Sequence, residues 1–91
     1  MEFEWDNEKN DHCLAQLGIE FSDVVPAFFD PSRQITEDTR RNYGERRFRL
    51  FGRVGSRLVV VVYTMRGTLV RIISARKANQ REVSRYEKNT Y

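Results

Sequence analysis

The sequence contains little cysteine, little histidine and no long apolar run, and each shortage excludes a class of protein. Its 91 residues include one cysteine, Cys13, and one histidine, His12, so neither an internal disulfide nor a zinc-type ligand set is expected. The longest apolar run, 58–63, is far shorter than the roughly 20 residues of a membrane-spanning helix. Residues 1–4 lack the basic start of a signal peptide. We therefore expect a cytoplasmic protein with no membrane partner, no metal and no other cofactor.

Charge is divided sharply along the chain. Residues 1–38 carry ten acidic and two basic residues, a net charge of −8, whereas residues 39–91 carry fourteen basic and three acidic residues, a net charge of +11. Thirteen of the sixteen basic residues are arginine, whose planar guanidinium group holds phosphate through several donors. A positive field of this size favours a polyanion such as RNA, which the acidic half would repel. We therefore expect nucleic-acid binding in the second half.

The first half has the spacing of helices. At 91 residues the chain has room for a single domain, residues 1–91, with one modest core. Asp6 is a suitable N-cap for a first helix that ends at Gly18, and Ser22 is a suitable N-cap for a second, shorter helix. Segment 32–44 is polar and without periodicity, which predicts a loop.

The second half has the spacing of strands. Residues 46–53, 58–65 and 68–76 predict a three-stranded antiparallel meander, whose middle strand is apolar on both faces and therefore central. Residues 3–5 predict an added edge strand, and 78–88 predict a C-terminal helix whose thin apolar stripe packs loosely or against a partner. A small antiparallel sheet with two N-terminal helices and one C-terminal helix belongs to the α+β class.

A first candidate site lies at the start of the meander. Glu45 stands there among arginines, and strand alternation places Arg47 and Arg49 on one face, where guanidinium groups can hold phosphate. Glu45 is a candidate general base that accepts a proton from a ribose 2′-hydroxyl. An ordinary surface ion pair explains the same residues equally well.

A second candidate site lies at the ends of the next two strands. Arg66 is at a hairpin turn, Arg71 follows it, and Arg76 with Lys77 stands where the last strand leads into a helix that Ser74 can cap. Basic residues at a helix N-terminus oppose the helix dipole, so a bound anion would stabilise them. The alternative is that these cations only neutralise neighbouring carboxylates.

The C-terminal helix and the aromatic residues supply the remaining candidates. Lys77, Arg81, Arg85 and Lys88 have the spacing of one helix face that binds RNA, meets an acidic partner or is merely solvated. Bases can stack on aromatic rings, for which Phe48, Phe51, Tyr63 and Tyr86 are available. His12 and Cys13 diverge on a helix and cannot form a nucleophile–base pair, so proton transfer is left to Glu45, Tyr63, Tyr86 or Lys77.

Several motifs resemble those of BrnT-type toxins in order along nearly the whole chain. They are Phe3-Glu4-Trp5-Asp6 with Lys9, Gly18-Ile19, Phe21, Phe28, Asp30-Pro31, Gly44-Glu45 with Arg47, Val62-Tyr63-Thr64 with Arg66-Gly67, and Arg71-Ile72-Ile73-Ser74-Ala75-Arg76-Lys77-Ala78 with Glu82 and Tyr86. The chain departs from the family pattern at Cys13, where asparagine is frequent, and at Gln16-Leu17, where a Lys-His pair is frequent.

The resemblance implies a RelE-like α+β fold and a metal-independent endoribonuclease that blocks translation. It also implies neutralisation by a ribbon-helix-helix antitoxin of the BrnA type, encoded beside the toxin, in a complex of two toxins and two antitoxins. By position it points to catalytic roles for Arg66, Arg71, Arg76 and Lys77, followed by Glu45, Arg47 and Tyr86. Arg49, Tyr63, Arg81 and Arg85 are then the candidate RNA-binding residues.

Two other interpretations remain open from the sequence. A non-catalytic nucleic-acid-binding component of a toxin–antitoxin repressor complex would bind RNA or DNA without cleaving it, with affinity that falls as salt rises. A pure interaction protein would use its charged faces on protein partners, but fourteen basic residues in one half exceed what such a partner usually requires.

Overall fold

A computed structural model describes residues 1–89, whose strands form one five-stranded mixed sheet. In chain order the elements are β1 (Glu2–Trp5), α1 (Asn7–Leu17), α2 (Phe21–Val24), a 3-10 helix (Val25–Phe29), β2 (Gln34–Asp38), β3 (Arg47–Val54), β4 (Arg57–Arg66), β5 (Leu69–Lys77) and α3 (Gln80–Lys88). The strand order is β1-β5-β4-β3-β2, with β1 parallel to β5 and the other pairs antiparallel. The predicted α+β class is confirmed. No helix within the described residues is long and apolar enough to cross a membrane.

The sheet is larger than the predicted meander. The three predicted strands are β3, β4 and β5, and β4 is central as expected. The loop prediction for 32–44 is wrong for Gln34–Asp38, which forms β2 and pairs with β3, and is confirmed for residues 39–44. This edge strand carries few apolar residues because both of its faces are in contact with solvent, and its single isoleucine, Ile35, is 47% exposed. The predicted edge strand near residues 3–5 is present as β1, paired in parallel with β5.

Helix α1 begins and ends where its sequence signals predict. The Asp6 carboxylate accepts a hydrogen bond from the backbone N–H of Glu8 at 2.8 Å, and Gly18 adopts the left-handed conformation, with φ of 69°, that ends the helix. The other two caps differ from the prediction. Glu20 rather than Ser22 caps α2, which is only 4 residues long before the 3-10 helix begins, and Asn79 caps α3. Ser74 lies within β5.

The N-terminal helices cover one face of the sheet and build the larger core. Phe21 from α2 packs there with Leu50, Val61 and Ile72 from the central strands. The backbone of the 3-10 helix approaches β3 so closely that a Cβ at Gly52 would lie 2.6 Å from the carbonyl oxygen of Ala27. Glycine is therefore required at this contact for steric reasons.

Helix α3 covers only part of the opposite face. The ring of Tyr86, a residue of this helix, packs with Phe51, Leu58 and Val60. The Tyr86 hydroxyl donates a hydrogen bond of 2.7 Å to Asp30 Oδ2. The thin apolar stripe predicted for this helix is confirmed, since Val83 and Tyr86 are its residues in this cluster, and Tyr86 is only 2% exposed. The sheet beyond α3 stays uncovered on this side, which leaves space for a binding site.

Candidate nucleic-acid interface

The strand register gathers arginines on the open part of the sheet. Side chains of directly paired residues point to the same face. Arg49 pairs with Val62, and Val62 pairs with Ser74, so these three residues form one row across β3, β4 and β5. Arg76, paired with Val60, lies in the row beside it. We call this open surface the arginine face, and its basic residues are Arg47, Arg49, Arg71 and Arg76.

A β-bulge brings Arg71 to this face. Arg71 and Arg76 are five positions apart on β5, and strict alternation would place them on opposite faces. The β4–β5 register shifts between Val62 and Tyr63, so Arg71 pairs with Thr64 on the same side as Val62. The extra residue on β5 therefore reverses the alternation and aligns the two arginines.

Arg76 is held in a two-pronged ion pair. Its Nη1 and Nη2 donate to Glu82 Oε1 and Oε2 at 2.7 and 2.9 Å. Glu82 also accepts a hydrogen bond from the backbone N–H of Asn79, as part of the capping box that starts α3. The Arg76 guanidinium group lowers the pKa of Glu82 to about 2 against the effect of burial, so this carboxylate is ionised at neutral pH.

Arg49 lies at the centre of the arginine face, and one of its guanidinium nitrogens lacks a hydrogen-bond acceptor among the described residues. Its Nε is buried and has no hydrogen-bond partner within residues 1–89. Glu82 is close enough to interact with it electrostatically. Because an unsatisfied buried donor of a charged group is costly, a ligand that accepts a hydrogen bond from Arg49 would be stabilised here.

Arg47 and Glu45 lie together at one edge of this face. Arg47 Nε donates to Glu45 Oε2 at 3.2 Å, and the Arg47 guanidinium carbon lies 4.2 Å from the centre of the Tyr43 ring. The ring and the carboxylate fix the orientation of Arg47. The Glu45 side chain stays 34% exposed and is accessible to a ligand.

Arg71 and Arg66 lie at the opposite edge and share one acidic partner. Arg71 Nη1 donates to Glu4 Oε2 at 3.0 Å, and Arg66 Nη1 is 3.8 Å from the same oxygen. Glu4 reaches this position because β1 pairs with β5 in parallel, with Glu4 opposite Arg71. The N-terminal strand thus supplies a carboxylate to a surface built otherwise from the second half.

Comparison with known protein families assigns the chain to one of them. Residues 5–82 match a family model described as the ribonuclease toxin, BrnT, of type II toxin-antitoxin system. The chain belongs to the BrnT family. The match runs from the end of β1 into the first turn of α3 and includes all the arginines of the arginine face. No curated protein matches the chain. BrnT membership implies a ribonuclease toxin with an RNA substrate and an antitoxin partner.

Three residues predicted for the site lie elsewhere in this BrnT chain. Lys77 pairs with Val59, so it points to the face opposite Arg76. Tyr63 is buried in the larger core, where its ring contacts Phe28 with centroids 5.1 Å apart, so it offers no surface to a base. Tyr86 lies on the buried side of α3. Its burial, together with the hydrogen bond to Asp30, raises its pKa. We therefore leave these residues out of the proposed interface.

The predicted basic stripe of α3 is shorter than expected. Lys77 ends β5 and does not belong to the helix, so the stripe consists of Arg81, Arg85 and Lys88, all exposed. Arg85 faces the cleft between α3 and the strands β2 and β3, and Arg81 lies one helical turn before it. Both arginines therefore border the arginine face.

A wide groove lies away from the arginine face. It has a volume of about 670 Å³ between α1 and β5, and is lined in part by His12, Cys13, Leu17 and Phe21. Its surface is mainly apolar, unlike a phosphate-binding site. Burial raises the pKa of Cys13, whose Sγ lies 3.3 Å from the carbonyl oxygen of Ala75, so its thiol is a poor nucleophile. Within residues 1–89 there is no group of three or more His, Cys, Asp or Glu that could hold a metal ion.

Several residues of the site were not anticipated from the sequence. They are Glu4, Tyr43, Glu82 and Thr36, the last of which lies opposite Arg49 on β2. For Glu82 a signal exists, because Asn79-x-x-Glu82 has the spacing of a capping box. Glu4 and Thr36 have no local signal, since they reach the site through pairing of the edge strands β1 and β2.

Proposed function

We propose that this BrnT-family chain is a metal-independent endoribonuclease that cleaves RNA on the arginine face and thereby inhibits translation. The observation that carries the proposal is the register that collects Arg47, Arg49, Arg71 and Arg76 on one open surface. Guanidinium groups there bind the RNA backbone and stabilise the extra negative charge of the pentavalent phosphorus transition state. This role needs no metal ion, because the arginines supply the positive charge.

Glu45 is the proposed general base. It is exposed and ion-paired to Arg47, which keeps its carboxylate at the edge of the arginine face. In the proposed reaction Glu45 takes the proton of a 2′-hydroxyl, and the 2′ oxygen attacks the adjacent phosphorus. The bond to the 5′ oxygen breaks, and that oxygen takes a proton from water. The products carry a 2′,3′-cyclic phosphate and a 5′-hydroxyl.

Glu82 is less suited to this role, although it lies closer to the centre of the arginines. Its two bonds to Arg76 and its pKa of about 2 make it a weak proton acceptor. General-base catalysis is most efficient when the pKa of the base lies near the working pH. Glu82 is better understood as the group that positions Arg76.

A cleavage assay tests the proposal. The purified, antitoxin-free chain is incubated with single-stranded RNA in EDTA, with and without ribosomes, and the product ends are analysed. We expect 2′,3′-cyclic phosphate ends, and we expect Glu45→Gln and Arg76→Ala each to slow cleavage by about 100-fold or more. Arg57→Ala is the matched control, since Arg57 is an exposed arginine of β4 on the other face of the sheet, where it lines a groove with Ile19 and Val59.

The outcome separates the enzyme from a binding module. RNA that stays intact under all these conditions but is bound in a salt-dependent way would favour the non-catalytic alternative. Cleavage that disappears in EDTA and returns with a divalent cation would contradict metal independence. Equal loss in Arg57→Ala and Arg76→Ala would contradict the assigned surface.

The proposed partner is a ribbon-helix-helix antitoxin that neutralises the toxin in the cytoplasm as a complex of two toxins and two antitoxins. Membership of a type II toxin family supports a protein neutraliser. Co-expression of the chain with the protein encoded beside it, followed by light scattering of the purified complex, tests the composition. A mass that corresponds to two copies of each chain is expected, and any other ratio contradicts the proposal.

A further inference from the structure

A small cleft opens beside the arginine face, between α3 and the strands β2 and β3. Its volume is about 80 Å³. The residues that line it are Gln34, Thr36, Arg49, Phe51, Glu82, Arg85 and Tyr86. Strand pairing explains the arrangement, because Thr36 is directly opposite Arg49 on the neighbouring strand and therefore points to the same side.

The polar lining of this cleft is suited to an anion. Arg49 contributes a guanidinium group with an unsatisfied Nε, Arg85 a second guanidinium group from α3, and Thr36 a hydroxyl donor. The one carboxylate in the lining, Glu82, is already held in place by Arg76 and is only 11% exposed at its side chain. Glu82 is therefore the counter-ion of the arginines around the cleft when no other anion is bound.

We propose that this cleft binds a backbone phosphate of the RNA, through Arg49, Arg85 and Thr36, and that Glu82 weakens this binding because its carboxylate also lines the cleft and repels the phosphate. The proposal rests on the proposed function, in that the RNA lies across the adjacent arginine face. The phosphate in the cleft differs from the cleaved one, because Glu45 precedes β3, whereas Arg49 lies within this strand and lines the cleft.

Electrostatics determines the direction of the Glu82 effect. A carboxylate that satisfies Arg76 and attracts Arg49 reduces the positive potential available to a phosphate. A phosphate in the cleft and the Glu82 carboxylate are both anionic and therefore repel each other. Replacing Glu82 by glutamine removes the charge but retains an acceptor for the Asn79 N–H, since glutamine also serves in a capping box.

The test measures binding without cleavage. A fluorescent 2′-O-methyl RNA oligonucleotide lacks the nucleophilic hydroxyl, and its affinity is measured by anisotropy over a range of salt concentrations. We expect Glu82→Gln to bind about 10-fold more tightly than the unmodified chain, since a single charge change near a phosphate alters binding on the order of a kilocalorie. We expect Arg49→Gln to bind about 10-fold more weakly, and its salt slope to fall by about 0.7 for one lost phosphate contact on a single strand.

Glu87→Gln is the control for the loss of one negative charge at a position outside the cleft. Glu87 is an exposed carboxylate of the same helix and lies 3.5 Å from Arg53, outside the cleft. Equal affinities for Glu82→Gln and Glu87→Gln would overturn the proposal, because a general charge effect would then account for both. Unchanged binding of Arg49→Gln would overturn it as well.

Additional measurements keep the outcomes separate. Thermal unfolding shows whether each variant is folded. If Glu82→Gln does not fold, Thr36→Val replaces it as the test variant, because this substitution removes one hydrogen-bond donor of the cleft without any change of charge. Weaker binding of Thr36→Val supports the cleft, and unchanged binding contradicts it. If ordinary RNA is never cleaved but the variants bind as expected, the proposed enzyme fails and the phosphate cleft stands. If RNA is cleaved and the variants bind alike, only the cleft fails.

Discussion

The Tyr86 hydroxyl joins α3 to the rest of the fold through its hydrogen bond to Asp30, and Tyr86→Phe removes this hydroxyl while it keeps the ring. The Tyr86 hydroxyl donates to Asp30 Oδ2 at 2.7 Å, and the same carboxylate accepts backbone bonds from Ser32 at 2.9 Å and Arg53 at 2.7 Å. A hydrogen bond to a charged group contributes about 1.5–3 kcal/mol, so we expect the variant to lose about 2 kcal/mol of unfolding free energy. For a chain of this size that loss lowers Tm by about 8–16 °C.

The pH dependence of this loss follows from Asp30. Burial alone would raise the pKa of Asp30, but the hydrogen bonds from Tyr86, Arg53 and Ser32 outweigh it and hold the pKa below its ordinary value. A carboxylate with a lowered folded-state pKa stabilises the fold above the unfolded-state pKa, and this contribution disappears as the pH falls through the folded-state pKa. The difference between Tyr86→Phe and the unmodified chain should therefore be full at neutral pH and shrink below about pH 4.

Circular dichroism during heating measures the effect, and Tyr63→Phe is the matched control. Within the described residues the Tyr63 hydroxyl makes no hydrogen bond, so the same substitution there should change Tm by only a few degrees. Because Tyr86 is buried and tied to Asp30, folded Tyr86→Phe should still cleave RNA. An unchanged Tm at neutral pH, or a stable variant that no longer cleaves RNA, would refute a structural role for this tyrosine.

Two more predictions follow from other parts of the molecule. Gly52→Ala should lower the unfolding free energy by about 1–3 kcal/mol, measured as the urea midpoint, because its new Cβ would lie 2.6 Å from the carbonyl oxygen of Ala27; an unchanged midpoint would contradict the close contact. Arg76→Ala should relieve growth arrest on expression without unfolding the protein, whereas Arg57→Ala should remain toxic, and a folded Arg76→Ala that still arrests growth would exclude Arg76 from the site.

Much of the fold could be predicted because its central elements follow simple periodicities. The alternation of β3 to β5 predicted the meander, and its apolar middle strand correctly indicated the centre of the sheet. Asp6 and Gly18 marked the ends of α1 because caps act locally. The edge strand β2 was missed because it is exposed on both faces, so its sequence does not alternate between apolar and polar residues.

The arrangement of the candidate site depended on features that alternation does not reveal. A bulge near Val62 and Tyr63 aligns Arg71 with Arg76, and only the paired strands show it. Charge division correctly placed the arginine face in the second half, but the acidic partners Glu4 and Glu82 depend on tertiary pairing. Sequence composition therefore predicted the kind of surface better than the neighbours of each arginine.

The most direct test of the central claim is where RNA contacts the protein. The ¹⁵N-labelled chain is titrated with a 2′-O-methyl RNA oligonucleotide, and backbone amide shifts are followed by NMR. We predict the largest shifts at Arg49, Val62 and Arg76 on β3, β4 and β5, with little change at Leu14 and Leu17 of α1. Shifts confined to α1 and its groove would contradict binding on the arginine face.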